Sequence, residues 1–333
     1  MKKILALVLA MVMVMGLLAG CQVGGNADTT AAPETKPTQS PEEEAVLRIL
    51  ALGNSHTNDC TQLLYYVFMK EMPEQKVLVA NMYYSGCSLS QHVTFEQGDK
   101  PEYVYYKNDS GFWKENPNTT MSYALGEQMW DVIMLHDMNN NTASGQSFKE
   151  PNLENHIAYI KDHIAYPATL LWNMGWSNPT AEEFFAPDYF IQGPSGWKGG
   201  YEKDYGFDYN VHFEKLVTNT KDKIMTNPDI SGIAPTGMAF TYARNVLGMT
   251  DLDLYRDYTH SSDYGALIAA YVWFATITGK TEITEMNIDV IPASQRHNHF
   301  KDQGDLVITE EMQEVLVKAV NYALANPYTI PTK

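Results

Sequence analysis

The stretch Leu47-Arg48-Ile49-Leu50-Ala51-Leu52-Gly53-Asn54-Ser55-His56-Thr57 is a short apolar strand that runs into a Gly-Asn-Ser turn and then into helical spacing. A strand this uniformly apolar is buried on both faces, so helices must cover the sheet above and below. Serine at the carboxyl end of such a strand stands where ligands of open α/β sheets bind. Far downstream, Asp257-Tyr258-Thr259-His260 holds the only one of the nine histidines with an aspartate three positions before it. Ser55, Asp257 and His260 are, in chain order, the side chains that nucleophilic acyl transfer needs. A serine hydroxyl is too weak an acid to attack an ester unaided. An imidazole must take its proton, and a carboxylate must hold that imidazole in the right tautomer.

Outward from this stretch, apolar strands alternate with helical patterns. The strands are read at 46–52, 76–82, 131–135, 168–173 and 230–235, and the helices at 58–72, 151–165, 208–226, 237–247, 263–278 and 309–325. The expected fold class is α/β, a three-layer α/β/α sandwich on a mostly parallel five-stranded sheet with a C-terminal helix. Two segments break the alternation. Residues 101–125, with Tyr103-Val104-Tyr105-Tyr106 and then Asn108-Asp109-Ser110-Gly111, read as an added β-hairpin. Residues 176–207, rich in Gly, Pro and aromatics, read as a long irregular insertion of the kind that often binds ligands. His260 stands just before Ser261-Ser262-Asp263, a helix-start signature, so a rigid element should fix the imidazole.

Other residues carry weaker signals. His297-Asn298-His299 lacks a third ligand nearby and reads as a solvated loop, so no metal is expected there. His56 either lines the site or faces solvent. Trp113, Trp172, Trp176 and Trp197 lie near the expected strand ends, where stacking on sugars is one use and core packing the other. Cys60 and Cys87 could pair, but sequence gives no separation.

These blocks resemble the SGNH, or GDSL, hydrolase superfamily. Gly53-Asn54-Ser55 is similar to its first block, Gly-Asp-Ser, which presents the nucleophile, and Asp257-Tyr258-Thr259-His260 to its last, Asp-x-x-His. Ser85-Gly86-Cys87 is placed like the second block, whose glycine gives an N–H to the oxyanion. The third block, Gly-x-Asn-Asp, should fall at 136–141, where this chain instead reads His136-Asp137-Met138-Asn139-Asn140-Asn141. Pro235-Thr236-Gly237 and Asn326-Pro327 resemble a branch of secreted bacterial proteins of this type. The resemblance covers roughly 46–333 and implies a flavodoxin-like fold and an esterase. Ser55, Asp257 and His260 would form the triad, the oxyanion donors would be Ser55, Gly86 and either Asn139 or Asn140, and no metal or organic cofactor would be needed. The rival reading is a non-catalytic carbohydrate-binding lipoprotein on the same fold. A peptidase with the same triad is a lesser alternative, since no extended substrate groove is signalled.

Residues 1–20 combine a basic start with a short apolar run, as a secretory signal does, and Leu18-Ala19-Gly20-Cys21 resembles the bacterial lipobox. The apolar run is shorter than the ~20 residues needed to span a bilayer. Residues 21–45, with Glu42-Glu43-Glu44 and no aromatic, read as a flexible tether, and 46–333 as one domain. A net charge of −17 speaks against nucleic acid and against electrostatic attraction to anionic lipid. The expected location is therefore extracytoplasmic, with membrane contact only through a lipid on Cys21, and the expected partner is a small ester or acylated glycan. Replacing the sulfur that would carry the lipid, in Cys21→Ala, is expected to move the protein from the membrane to the soluble fraction. Retention of that variant in the membrane fraction would contradict the anchor.

Overall fold

The computed structural model describes residues 46–181, 184, 201 and 204–332. The segments assigned to export, lipidation at Cys21 and tethering lie outside these residues, as does Trp197. Strand β1 (Val46–Gly53) is central. It pairs in parallel with β2 (Lys76–Tyr83) on one side and β5 (Val132–Leu135) on the other, and β6 (Thr169–Asn173) and β7 (Ile230–Ala234) extend the parallel sheet beyond β5. All four residues of β5 and the last six of β1 are buried, as expected of strands covered on both faces.

The hairpin is present, but it is part of the sheet. Strand β3 (Tyr103–Asn108) pairs antiparallel with β2 and with β4 (Lys114–Thr119), giving seven strands in the order β4-β3-β2-β1-β5-β6-β7. The Asn108 side chain closes the turn by accepting from Gly111 N–H at 2.9 Å. Successive parallel strands leave β1 in opposite directions, to β2 and to β5, so the topological switch point falls at the carboxyl ends of β1 and β5.

The helix read at 58–72 is two helices, α1 (Ser55–Thr61) and α2 (Leu64–Glu71). The first starts three residues earlier than expected because the Asn54 side chain caps it, accepting from His56 N–H at 3.0 Å. It ends early as Thr61, whose hydroxyl donates back to Thr57 C=O, gives way to a turn. Helices α3 (Leu89–Glu96), α4 (Met121–Glu127) and α5 (Asn139–Ser144) escape the sequence pattern because each is short and buries only a few residues. The patterned helices follow as α6 (Asn152–His163), α7 (Tyr209–Asn219), α8 (Thr236–Asn245), α10 (Asp263–Thr278) and α11 (Glu310–Ala325), with the short α9 (Asp251–Leu254) before α10. Helix α10 is buried from Gly265 to Ala275 and packs against α1, α2, α8 and α11. On the other face α3 packs on α6, and α5 on α7. No described helix is long and apolar enough to cross a membrane.

The Pro235-Thr236-Gly237 motif has a packing reason. Gly237 N–H donates to Met174 C=O at 2.8 Å, which brings the start of α8 against the segment after β6. A Cβ on Gly237 would sit 1.9 Å from the Gly175 carbonyl oxygen. Neither partner is a flexible side chain, so Gly237→Ala is expected to cost about 1–3 kcal/mol. An unchanged urea midpoint for that variant would contradict the close approach.

Candidate active site

The Gly-Asn-Ser turn closes β1 at the switch point, and the first turn of α1 carries Ser55 into a cleft of about 220 Å³. Gly53 is required because a Cβ there would lie 2.6 Å from Thr57. Asn54 Nδ2 donates to Cys87 C=O at 2.9 Å, pinning the loop that carries Gly86. An aspartate at 54 could not make that bond. Gly86 itself has φ +62°, a conformation that glycine adopts without strain.

His260 lies 205 residues from Ser55, and its Nε2 is 2.8 Å from Ser55 Oγ. Its Nδ1 is 2.8 Å from Asp257 Oδ2 and 3.0 Å from Oδ1. Asp257 Oδ1 also accepts the N–H groups of Thr259 and His260, at 2.9 and 2.8 Å. Burial alone would raise this carboxyl, but hydrogen bonding to His260 and these N–H groups outweighs it and holds the group at about 2. It therefore stays ionised at neutral pH. The three residues read from the sequence are thus brought together in hydrogen-bonded order.

The loop bearing His260 is strapped to the helix bearing Ser55. Asp59, one turn along α1, accepts Ser261 N–H at 2.8 Å and pairs with Arg256 at 2.9 Å. Arg256 N–H in turn donates to His260 C=O at 3.0 Å, and Ser262 N–H to Leu254 C=O at 2.9 Å, closing the loop on itself. His297 packs on the same pair, 3.2 Å from Arg256 and 3.9 Å from Asp59. This corrects the solvated-loop reading of 297–299: His297 is buried and Arg296 is ion-paired to Asp263 at 2.7 Å, while Asn298 and His299 are exposed. Asp59 had a local signal, since four residues after Ser55 on a helix is the same face. Arg256 and His297 had none.

Behind Ser55 lies a second, neutral network. His56 is buried and lines the cleft, with Nε2 3.1 Å from Thr259 C=O and Nδ1 3.3 Å from Asn139 Nδ2. Those partners assign the Nε2–H tautomer. Trp176 packs on His56 at 4.8 Å and donates its indole N–H to Thr259 C=O. Trp172 and Trp176 are therefore buried, and Trp113 packs partly buried against the core, so none of these three serves as an open stacking face. Cys60 and Cys87 are both free and buried.

The third block divides the labour of its asparagines. Asn139 Nδ2 donates to Trp176 C=O at 2.8 Å and also faces His56, so both its protons are engaged within the fold. Asn140 accepts from Asn178 Nδ2 at 3.1 Å through its oxygen, and its own Nδ2 meets no hydrogen-bond partner among the described residues. Both asparagines line the cleft, with Gly86, Asn178 and Tyr258. Asp137 accepts N–H groups of Met138 and Leu89, at 2.7 and 3.0 Å, and the Ser147 hydroxyl, fixing this loop to the start of α3.

Burial pushes several histidines down: His56 and His212 to about 3, His136 and His297 to about 4, and His92 well below the ordinary range. Because their folded values lie below the unfolded 6.5, the unfolded chain binds more protons in acid. Stability is then full above pH 6.5 and is lost as pH falls toward 3–4, by up to ~1.4 kcal/mol per pH unit for each histidine. Asp137, raised to about 6 by burial, acts with the opposite sign and offsets part of this. Urea midpoints at pH 7 and pH 5 check it, with a lower midpoint expected at pH 5.

Residues 48–192 match the family model described as a domain of unknown function, DUF4886. A DUF4886 family protein from Bacteroides uniformis has 22% identity and a TM-score of 0.66, over 86% of this chain and 97% of that one. A candidate SGNH hydrolase from Slackia heliotrinireducens has 17% identity and a TM-score of 0.45, over 70% and 99%. A variant of an acetyl xylan esterase from Geobacillus stearothermophilus has 13% identity and a TM-score of 0.41, over 70% and 94%. No curated protein matches the sequence. The first of these structures shares the fold, which is the α/β architecture that the SGNH resemblance implies.

Proposed function

We propose that this protein is an extracytoplasmic serine esterase that removes short acyl groups, acetyl above all, from carbohydrate, held to the membrane by a lipid on Cys21. The observation that carries the esterase reading is the ordered contact Asp257–His260–Ser55, with 2.8 Å at each link, inside a cleft. Ser55 Oγ attacks the ester carbonyl as His260 Nε2 takes its proton, and ionised Asp257 stabilises the imidazolium. The tetrahedral oxyanion is held by the N–H groups of Ser55 and Gly86 and by the uncommitted amide of Asn140. Collapse expels the alcohol with the proton returned from His260. Water then attacks the acyl-Ser55 ester with His260 as base, releasing the carboxylate.

The substrate class rests on the cleft. Its volume of about 220 Å³ is below the range of ordinary small-molecule pockets, which favours a short acyl group. Its amide-rich lining, Asn140 and Asn178 among it, offers partners for sugar hydroxyls. The extracytoplasmic placement rests on the export and lipobox pattern at 1–21 alone.

A fluorophosphonate probe is expected to label wild-type protein at Ser55 and to leave Ser55→Ala unlabelled. Hydrolysis of p-nitrophenyl acetate should exceed that of the octanoate, and acetate should be released from acetylated xylan. Asp257→Asn should lower kcat by about 10⁴ and Asn140→Ala by ~10²–10³. Glycan binding without labelling, and ester turnover no better than Ser55→Ala, would leave a carbohydrate-binding protein as the survivor. Faster octanoate turnover would overturn the short-acyl assignment.

A further inference from the structure

Away from the cleft, three ligand-type side chains meet in the interface between α3 and α6. His92 and Glu96 lie four residues apart on one face of α3, and His156 faces them from α6. All three are buried, at 0%, 6% and 1% exposure. One potential ligand atom from each lies within 4.8 Å of the others. His156 Nδ1 is 2.6 Å from Glu96 Oε1, and the rings of His92 and His156 are stacked at 4.8 Å.

Hydrogen bonding accounts for two of the three. Glu96 and His156 satisfy one another, and His92 Nδ1 is 2.8 Å from the Tyr103 hydroxyl. His92 Nε2 is left buried with no hydrogen-bond partner among the described residues. A buried ring nitrogen without a partner is costly and uncommon, so the orphan calls for an explanation. We propose that His92, Glu96 and His156 form a binding site for a divalent transition-metal ion of the zinc type, which ties α3 to α6.

Two imidazoles and one carboxylate are a donor set suited to zinc, and a bound ion would satisfy all three residues together. Tyr103 fits the arrangement as the group that orients a ligand. By accepting Nδ1–H it leaves a lone pair on Nε2, which is the tautomer that binds metal. Burial also keeps the His92 imidazole neutral, the form a metal requires. The ligand set spans 60 residues between Glu96 and His156, so no local spacing announces it. Helix α3 begins at the Ser88 cap, two residues after Gly86, so an ion here would stiffen the support of that loop.

The test uses the untagged protein, stripped with a chelator and titrated with zinc alone. One zinc per chain is expected to bind, with a melting temperature that rises with free zinc, as linkage requires. Tyr103→Phe leaves the three ligands in place and should weaken zinc affinity about 10–100-fold. Glu96→Gln, nearly the same shape, should weaken it at least as much. Both should stay folded when zinc is absent, with a melting temperature lowered by the lost hydrogen bond but no longer raised by zinc, which separates loss of the site from loss of the fold. Adventitious binding at the exposed His163 and His299 would be unaffected by either substitution. Zinc affinity equal in wild type and Tyr103→Phe, or a melting temperature indifferent to zinc, would overturn the site and leave a buried water as the partner of Nε2. Neither result depends on whether Ser55 is catalytic.

Discussion

Everything at the site depends on one buried carboxylate. Asp59 sits on the same helix as Ser55 and holds Arg256 and the N–H of Ser261, on either side of His260. Burying a charge is expensive unless it is paired and hydrogen-bonded, and Asp59 gains both from a loop about two hundred residues away. Arg256 outweighs the cost of burial and keeps the carboxyl below its ordinary range. The consequence is geometric: Ser55 and His260 belong to one cross-linked unit. The two can then keep a 2.8 Å contact although they lie 205 residues apart in the chain.

The parts of this protein that were legible in the sequence are those fixed by local rules. Uniformly apolar strands announced the five parallel strands, and the Gly-Asn-Ser and Asp-x-x-His blocks announced the residues that meet at 2.8 Å. The helix at 263–278 was announced by Ser261-Ser262-Asp263, and Ser262 is the residue that caps it, accepting from Gly265 N–H. What was missed is tertiary. Short helices such as α3 and α5 bury too few residues to leave a period. The aromatic-rich segment after β6 reads as open loop, yet Trp176 dives into the core to stack on Phe240 at 4.6 Å. No spacing rule marks a tryptophan that will pack on a histidine 120 positions earlier.

The electrostatic design separates two kinds of histidine. His260 keeps an ionised partner and an edge on the cleft, whereas His56 and His136 are held neutral by burial, each hydrogen-bonded through its ring nitrogens. A neutral floor beneath the Asp257–His260 contact keeps positive charge away from the His260 imidazole. Asn139 belongs to that floor. Its amide protons are spent on Trp176 and His56, which leaves its neighbour Asn140 as the group facing outward.

The hairpin that extends the sheet also ends it. A free edge of an open sheet is a template for further strands, and long apolar edges promote aggregation. Here the outermost strand reads Lys114-Glu115-Asn116-Pro117-Asn118-Thr119, exposed along its first five residues. Pro117 removes a donor, Asn118 turns to φ +56°, and two charges stand on the rim. Without that cap, β2, six of whose eight residues are buried, would form the border of the sheet. The added strands thus give the molecule a colloidal safeguard, allowing a continuous apolar sheet to exist at high concentration without recruiting its neighbours.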